Sequence, residues 1–177
     1  IIGPFLRELA ARGSVCAIHV APESMLPAYK AGLNGQVRWM PLLEYRQTKP
    51  ILAMQYTLGY AQMYWAGTDA MRRALAQPPR GSRRYRLLTR ATCAAGRLAA
   101  SPARMRALDR AHCRAVEKLE IVERYRELFR RERPSVLFCT HQRPSSVLPP
   151  VLAARSLGIP TATFIFSWDN LSSKGRI

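Results

Sequence analysis

The sequence predicts an α/β fold of parallel strands flanked by helices, and three observations carry that prediction. Short apolar runs of strand length alternate with stretches of helical period, the connections in the last third are brief, and glycine or proline stands at most changeovers. At 177 residues, with an apolar share of 48%, the chain fits one domain with a full core. Neither disorder nor a fibre is indicated.

Taken in order, Phe5, Leu6 and Leu9 set a helical spacing that Gly13 stops. Val15 to Val20 reads as a short buried strand ended by Ala21-Pro22-Glu23-Ser24, and Gln36 to Leu42 is a second strand candidate after a looser segment. Pro50 opens a long apolar and aromatic helix running to about Gln77, where Pro78-Pro79-Arg80-Gly81 stops it. Arg83 to about Ala100 forms the next helix. Ser101-Pro102 then caps a longer one to Arg131, on which Leu108, Ala111, Ala115, Leu119, Val122, Tyr125 and Phe129 recur every three or four residues. Its opposite face offers the i,i+4 pairs Glu120/Arg124 and Glu127/Arg131.

After Arg133-Pro134 the pattern becomes most regular. Ser135 to Cys139 reads as a buried strand, Ser145 to Leu157 as a helix capped by Gly158, and Thr161 to Phe166 as another strand. A strand-helix-strand unit with short loops calls for parallel pairing and a right-handed crossover, so the sheet is Rossmann-like. The expected organisation is a single Rossmann-like domain over 1–177 with a basic helical insertion at about 50–133. With no initiator Met and a helical pattern at Ile1 that nothing precedes, the chain is expected to be truncated at both ends.

Charge is the strongest compositional signal, with 28 Lys and Arg against 11 Asp and Glu. Residues 72–133 hold 18 basic and 6 acidic groups, which is most of the net +17. Such a block attracts polyanions: nucleic acid, anionic lipid headgroups or diphosphate-bearing substrates. Arg72, Arg73, Arg80, Arg83, Arg84, Arg86 and Arg90 cluster with little acidic company and form a candidate membrane or anion patch, with a merely solvated basic face as the alternative. The aromatic helix after Pro50 either packs in the core or grips a lipid carrier.

The cysteines, Cys16, Cys93, Cys113 and Cys139, lack CxxC spacing and read as small core hydrophobes of a reducing compartment, not as a disulfide frame or a zinc site. No signal peptide and no apolar run of membrane-spanning length is visible. The expectation is a cytoplasmic protein, peripheral at the inner face of the cytoplasmic membrane.

Both strands of the last third end in polar clusters, Thr140-His141-Gln142-Arg143 and Ser167-Trp168-Asp169-Asn170. Parallel neighbours point their carboxyl ends the same way, so these loops should share one ligand-binding rim. The whole stretch "RPSVLFCTHQRPSSVLPPVLAARSLGIPTATFIFSWDNLSSKG" resembles the end of the N-terminal domain of bacterial GT-B-type glycosyltransferases of surface and capsular polysaccharide biosynthesis. The match covers about a quarter of the chain closely, with Ser167 to Gly175 its more specific part.

The resemblance implies a two-domain fold with an acceptor-holding N-terminal half and a nucleotide-sugar-holding C-terminal half. It implies further that this chain stops where the donor domain begins, and that the fragment alone is inactive. The partners implied are that missing domain and a glycan or lipid-linked acceptor. A nucleotide-sugar is the co-substrate, and no metal is demanded, because no carboxylate pair stands at ligand spacing.

On the rim, His141 is a candidate base by its near-neutral pKa, or simply a hydrogen-bonding loop residue. Arg143 suits a diphosphate through its planar fork, or is one more surface arginine. Asp169 and Asn170 anchor sugar hydroxyls or make an Asx turn, and Trp168 stacks on a sugar or packs between domains. Thr140 and Ser167 complete the substrate-binding set, with Lys174 a candidate phosphate contact. His19 and His112 read as structural. The alternatives are a polyol-phosphate transferase or sugar-nucleotide epimerase on the same fold, and, in another class, a basic nucleic-acid-binding module. Against the last, the chain has no zinc-finger spacing and no RNP-like aromatic signature.

Overall fold

The structure, a computed structural model, describes residues 3–19, 27, 30, 37–43, 45–139 and 145–163. It is α/β and predominantly helical, and it divides into two compact units, residues 1–44 and residues 45–177.

In the first unit helix α1 (Gly3–Arg12) is followed by strands β1 (Val15–His19) and β2 (Val37–Pro41). Gly13 ends α1 as its spacing demands, donating its N–H to the Leu9 carbonyl at 3.0 Å. The strands pair in parallel, in register from Val15 opposite Val37 to His19 opposite Pro41. Val37 is buried, whereas Cys16 is exposed and Val15, Ala17 and Ile18 are half-buried. The expected burial of the first strand is therefore corrected. A two-stranded parallel pair has too few neighbours to cover both of its faces.

The second unit opens with α2 (Lys49–Ala66), started by Pro50 in its first turn and ended by Gly67, whose φ of 59° is the left-handed conformation glycine adopts at no steric cost. The single helix expected from Pro50 to Gln77 is thereby corrected to two. Thr68 caps α3 (Asp69–Ala76), its hydroxyl accepting the Met71 N–H at 3.3 Å. Ser82 caps α4 (Arg83–Leu98) and Ser101 caps α5 (Pro102–Glu117) in the same way, the latter with proline in its first turn as the sequence predicts.

The long helix expected to Arg131 also divides. Lys118 and Leu119 interrupt it, Leu119 being extended (ψ 140°), and α6 (Glu120–Glu132) begins beyond them. The break changes which faces are covered. On α5 the buried residues are His112 and Val116, with Ala111 left exposed, while α6 buries Ile121, Val122, Tyr125, Leu128 and Phe129. The predicted pairs Glu120/Arg124 and Glu127/Arg131 are corrected as well. Glu123 instead accepts from Arg126 at 2.9 Å and from Arg130 at 3.0 Å, and Arg131 turns to Glu132 at 3.1 Å. One carboxylate within reach of two guanidinium groups competes better than two single pairs.

Strand β3 (Leu137–Cys139), a short 3-10 turn (Ser145–Val147), α7 (Leu148–Ser156) and β4 (Thr161–Thr163) complete the unit. Gly158 turns the chain from α7 into β4 with φ 71°. β3 and β4 pair in parallel, Leu137 opposite Thr161 and Cys139 opposite Thr163. Among the described residues the strands thus form two two-stranded parallel sheets, one in each unit. β3 is half-buried and β4 exposed, again less covered than expected, because α7 packs only lightly on β4 and no described helix packs extensively on β3. The core lies among the helices. α2 packs on α4 and α5, and α7 packs on α5 and α6, around Leu58, Ala61, Val116, Val122, Tyr125 and Leu152.

Candidate functional site

Two candidate regions came from the sequence, the polar rim and the arginine patch. The rim residues Thr140, His141, Arg143, Ser167, Trp168, Asp169, Asn170 and Lys174 all lie outside the described residues. What is described is the strand pair that leads to them. Cys139 and Thr163, the last described residues of β3 and β4, stand opposite each other, and the Thr163 hydroxyl donates to the Cys139 carbonyl at 2.9 Å. At the other end the Leu137 N–H donates to the Pro160 carbonyl at 2.9 Å. The parallel register means that the chain leaves both strands from one edge of the pair.

Burial pushes the Cys139 thiol above its ordinary value, so it is protonated at neutral pH. A nucleophilic role for this cysteine is therefore unsupported. None of the four thiols is fully buried: Cys16 is exposed and Cys93, Cys113 and Cys139 are intermediate, which corrects the expectation of core positions. Among the described residues no group of three or more His, Cys, Asp and Glu side chains is placed to hold a metal, and no helix is long and apolar enough to cross a membrane. His112 is buried on α5; the His19 side chain and His141 lie outside what is described.

All seven patch residues are described, and all are exposed. Arg72 is held by Asp69 one turn away, which neutralises part of its field. Arg73 lies in the last turn of α3, Arg80 in the connection, and Arg83, Arg84 and Arg86 crowd the start of α4, with Arg90 one turn further. No described carboxylate pairs with Arg73, Arg80, Arg83, Arg84, Arg86 or Arg90. Positive charge at a helix N-terminus opposes the macrodipole, and the first turn of α4 contains no acid to offset it.

The inner side of α4 meets α2 through small residues. Thr92 and Gly96 are buried, and a Cβ placed on Gly96 would lie 2.5 Å from Tyr60 Cβ and 3.0 Å from the Ala61 nitrogen. Tyr56, Tyr60 and Tyr64 recur every four residues on α2 and so share one face of that helix. The Tyr56 ring meets Tyr85 edge-on with centroids 6.5 Å apart, and Tyr64 Oη is hydrogen-bonded to Cys93 Sγ at 3.2 Å. Burial raises the Tyr56 and Tyr60 phenols, and the bond to Cys93 raises Tyr64. These phenols are half-buried and Trp65 is exposed, and α2 buries only Ile51, Leu58 and Ala61, so the helix packs on α4 and α5 with part of its surface and leaves its aromatic side partly open.

Sequence reasoning ended the patch at Arg90 and missed Arg97, which is exposed on the same helix. The missed signal was an absence: between Asp69 and Asp109 the chain has ten arginines and no acidic residue. Arg104 serves the structure within that span, donating to the Leu98 carbonyl at 2.7 Å across the turn from α4 to α5. No family model, curated protein or solved structure matches the chain.

Proposed function

We propose that the chain is the acceptor-side, Rossmann-like part of a GT-B-type glycosyltransferase, which moves a sugar from a nucleotide-sugar to a glycan or lipid-linked acceptor in surface polysaccharide biosynthesis. The observation that carries the reading is the β3, α7, β4 unit. Its strands run in parallel to Cys139 and Thr163, and the sequence continues from them toward the two polar segments that bear His141, Arg143, Trp168, Asp169 and Asn170. Open α/β sheets bind ligands beyond the carboxyl ends of their strands, which supports the reading.

In this reading His141 accepts the proton of the acceptor hydroxyl. The hydroxyl oxygen bonds to the anomeric carbon as the bond from that carbon to the diphosphate oxygen breaks. Arg143 and Lys174 offset the charge of the departing diphosphate, Asp169 and Asn170 hold sugar hydroxyls, and Trp168 stacks on a sugar face.

Acceptor binding tests the reading without the donor half. Saturation-transfer NMR with prenyl-diphosphate-linked N-acetylglucosamine should show contact with the saccharide. Trp168→Ala and Asp169→Ala should each weaken it about tenfold at an unchanged melting temperature. Absence of saccharide binding, or binding that both variants leave intact, would contradict the assignment.

A further inference from the structure

Among the described residues Leu87 and Leu98 are the most exposed large apolar side chains, at 69% and 73%, and both lie on α4. Ala91 and Ala94 stand between them and are exposed too. The spacing of four, three and four residues puts all four on one stripe about 16 Å long. At 100° per residue the stripe lies opposite Thr92 and Gly96, the side that meets α2. Arg83, Arg86, Arg90 and Arg97 run along one flank and Arg84 stands on the other. The helix therefore has an inner face of small residues and an outer apolar stripe bordered by guanidinium groups. A helix in an ordinary globular setting would turn polar groups outward here.

We propose that the outer face of α4 docks on an anionic lipid surface. Leu87 and Leu98 enter the boundary between headgroups and acyl chains, while Arg83, Arg84, Arg86, Arg90 and Arg97 meet the lipid phosphates. Charge decides between possible occupants. A second copy of the same face would bring two arginine rows together with no acid in either, since none occurs between Asp69 and Asp109. A nucleic acid would reward the arginines but gives two protruding leucines in the same stripe nothing to cover them. An anionic lipid surface satisfies both rows and also relieves the repulsion between the first-turn arginines and the helix dipole. Long arginine stems suit this position, because they cover apolar surface while the charged head stays at the phosphates. The inference stands on α4 alone and is independent of the transferase reading.

Cosedimentation of the whole chain with phosphatidylcholine vesicles, with and without phosphatidylglycerol, tests it. Binding should require phosphatidylglycerol at near-physiological salt. Leu87→Ser with Leu98→Ser should weaken binding about tenfold, and Leu87→Phe with Leu98→Phe should preserve it. Both leucines are solvent-exposed, so circular dichroism and melting temperature should not move. Failure to bind the anionic vesicles would overturn the proposal. So would serine variants that bind as well as the parent, or a dimer seen by light scattering that the serine variants dissociate.

Discussion

Helices α4 and α6 are both rich in arginine, and they use it in opposite ways. α6 has four arginines and four glutamates, so its formal charges cancel, and three of the arginines are paired within the helix. Glu123 bridges Arg126 and Arg130, Arg131 meets Glu132, and Arg126 also donates to Ser156 on α7 at 2.9 Å. Beneath that network lie five large buried side chains. α4 has five arginines and no acid, and its inner face is held by close backbone approach at Gly96. Where carboxylates are interleaved, charge belongs to the fold. Where they are missing over a long span, the partner has to come from outside the segment.

The largest effect should come from the buried side of α6. Tyr125 is almost fully buried, with its ring 5.9 Å from that of Phe129, so Tyr125→Ala should cost about 3–5 kcal/mol in denaturant unfolding. No residue on the inner face of α4 offers a comparable loss. There the informative change adds a group. Gly96→Ala should gain about 1 kcal/mol from helix propensity alone. The collision with Tyr60 and the α2 backbone should instead give a net loss of about 2 kcal/mol. A stabilised variant would break the claim that α4 is held by close approach.

A smaller effect should appear at alkaline pH. The Tyr56, Tyr60 and Tyr64 phenols are raised in the folded chain, so the folded state holds their protons where the unfolded state has released them. Their contribution is complete below the ordinary tyrosine value of about 10 and is lost as pH rises through the folded values. The melting temperature should therefore fall on the alkaline side, and Tyr64→Phe should flatten that fall.

The smallest effect belongs to the exposed network on α6. Hydrogen bonds from Arg126 and Arg130 lower the Glu123 carboxyl below its ordinary value. Its contribution is present above the ordinary carboxylate range and disappears as pH falls through the lowered value. Glu123→Gln should therefore lower stability slightly at neutral pH, leave it nearly unchanged at strongly acid pH, and so reduce the acid-side slope.

Much of this contrast was legible in the sequence. Ser101-Pro102, Gly158 and the paired apolar runs flanking α7 each announced an element the structure contains, since a cap, a left-handed turn and a parallel crossover depend on local chemistry. Gly67-Thr68-Asp69 was equally informative, a helix stop followed by a cap and a first-turn acid, but the apolar period running on to Met71 and Leu75 masked it. The break at Lys118-Leu119 has no such signal. Neither residue is a breaker, and only packing of α6 on α7 gives a reason for it. Strand burial was over-read because an apolar run reports the capacity to be covered, not the number of neighbours that do so. At the candidate sites, exposure of the seven patch arginines followed from composition. The outer stripe of α4 did not, because it emerges only once Thr92 and Gly96 are known to face inward.

The central claim is that the position of the arginines, not their number, sets what the chain binds. Two variants of equal net charge test it. One carries Arg83→Gln, Arg86→Gln and Arg90→Gln on α4, the other Arg124→Gln, Arg130→Gln and Arg131→Gln on α6, and both are titrated with vesicles containing phosphatidylglycerol. The α4 variant should lose about a hundredfold in affinity, at about 1 kcal/mol for each basic group near the surface. The α6 variant should stay close to the parent. Equal losses would show that net charge alone governs binding and would contradict the account.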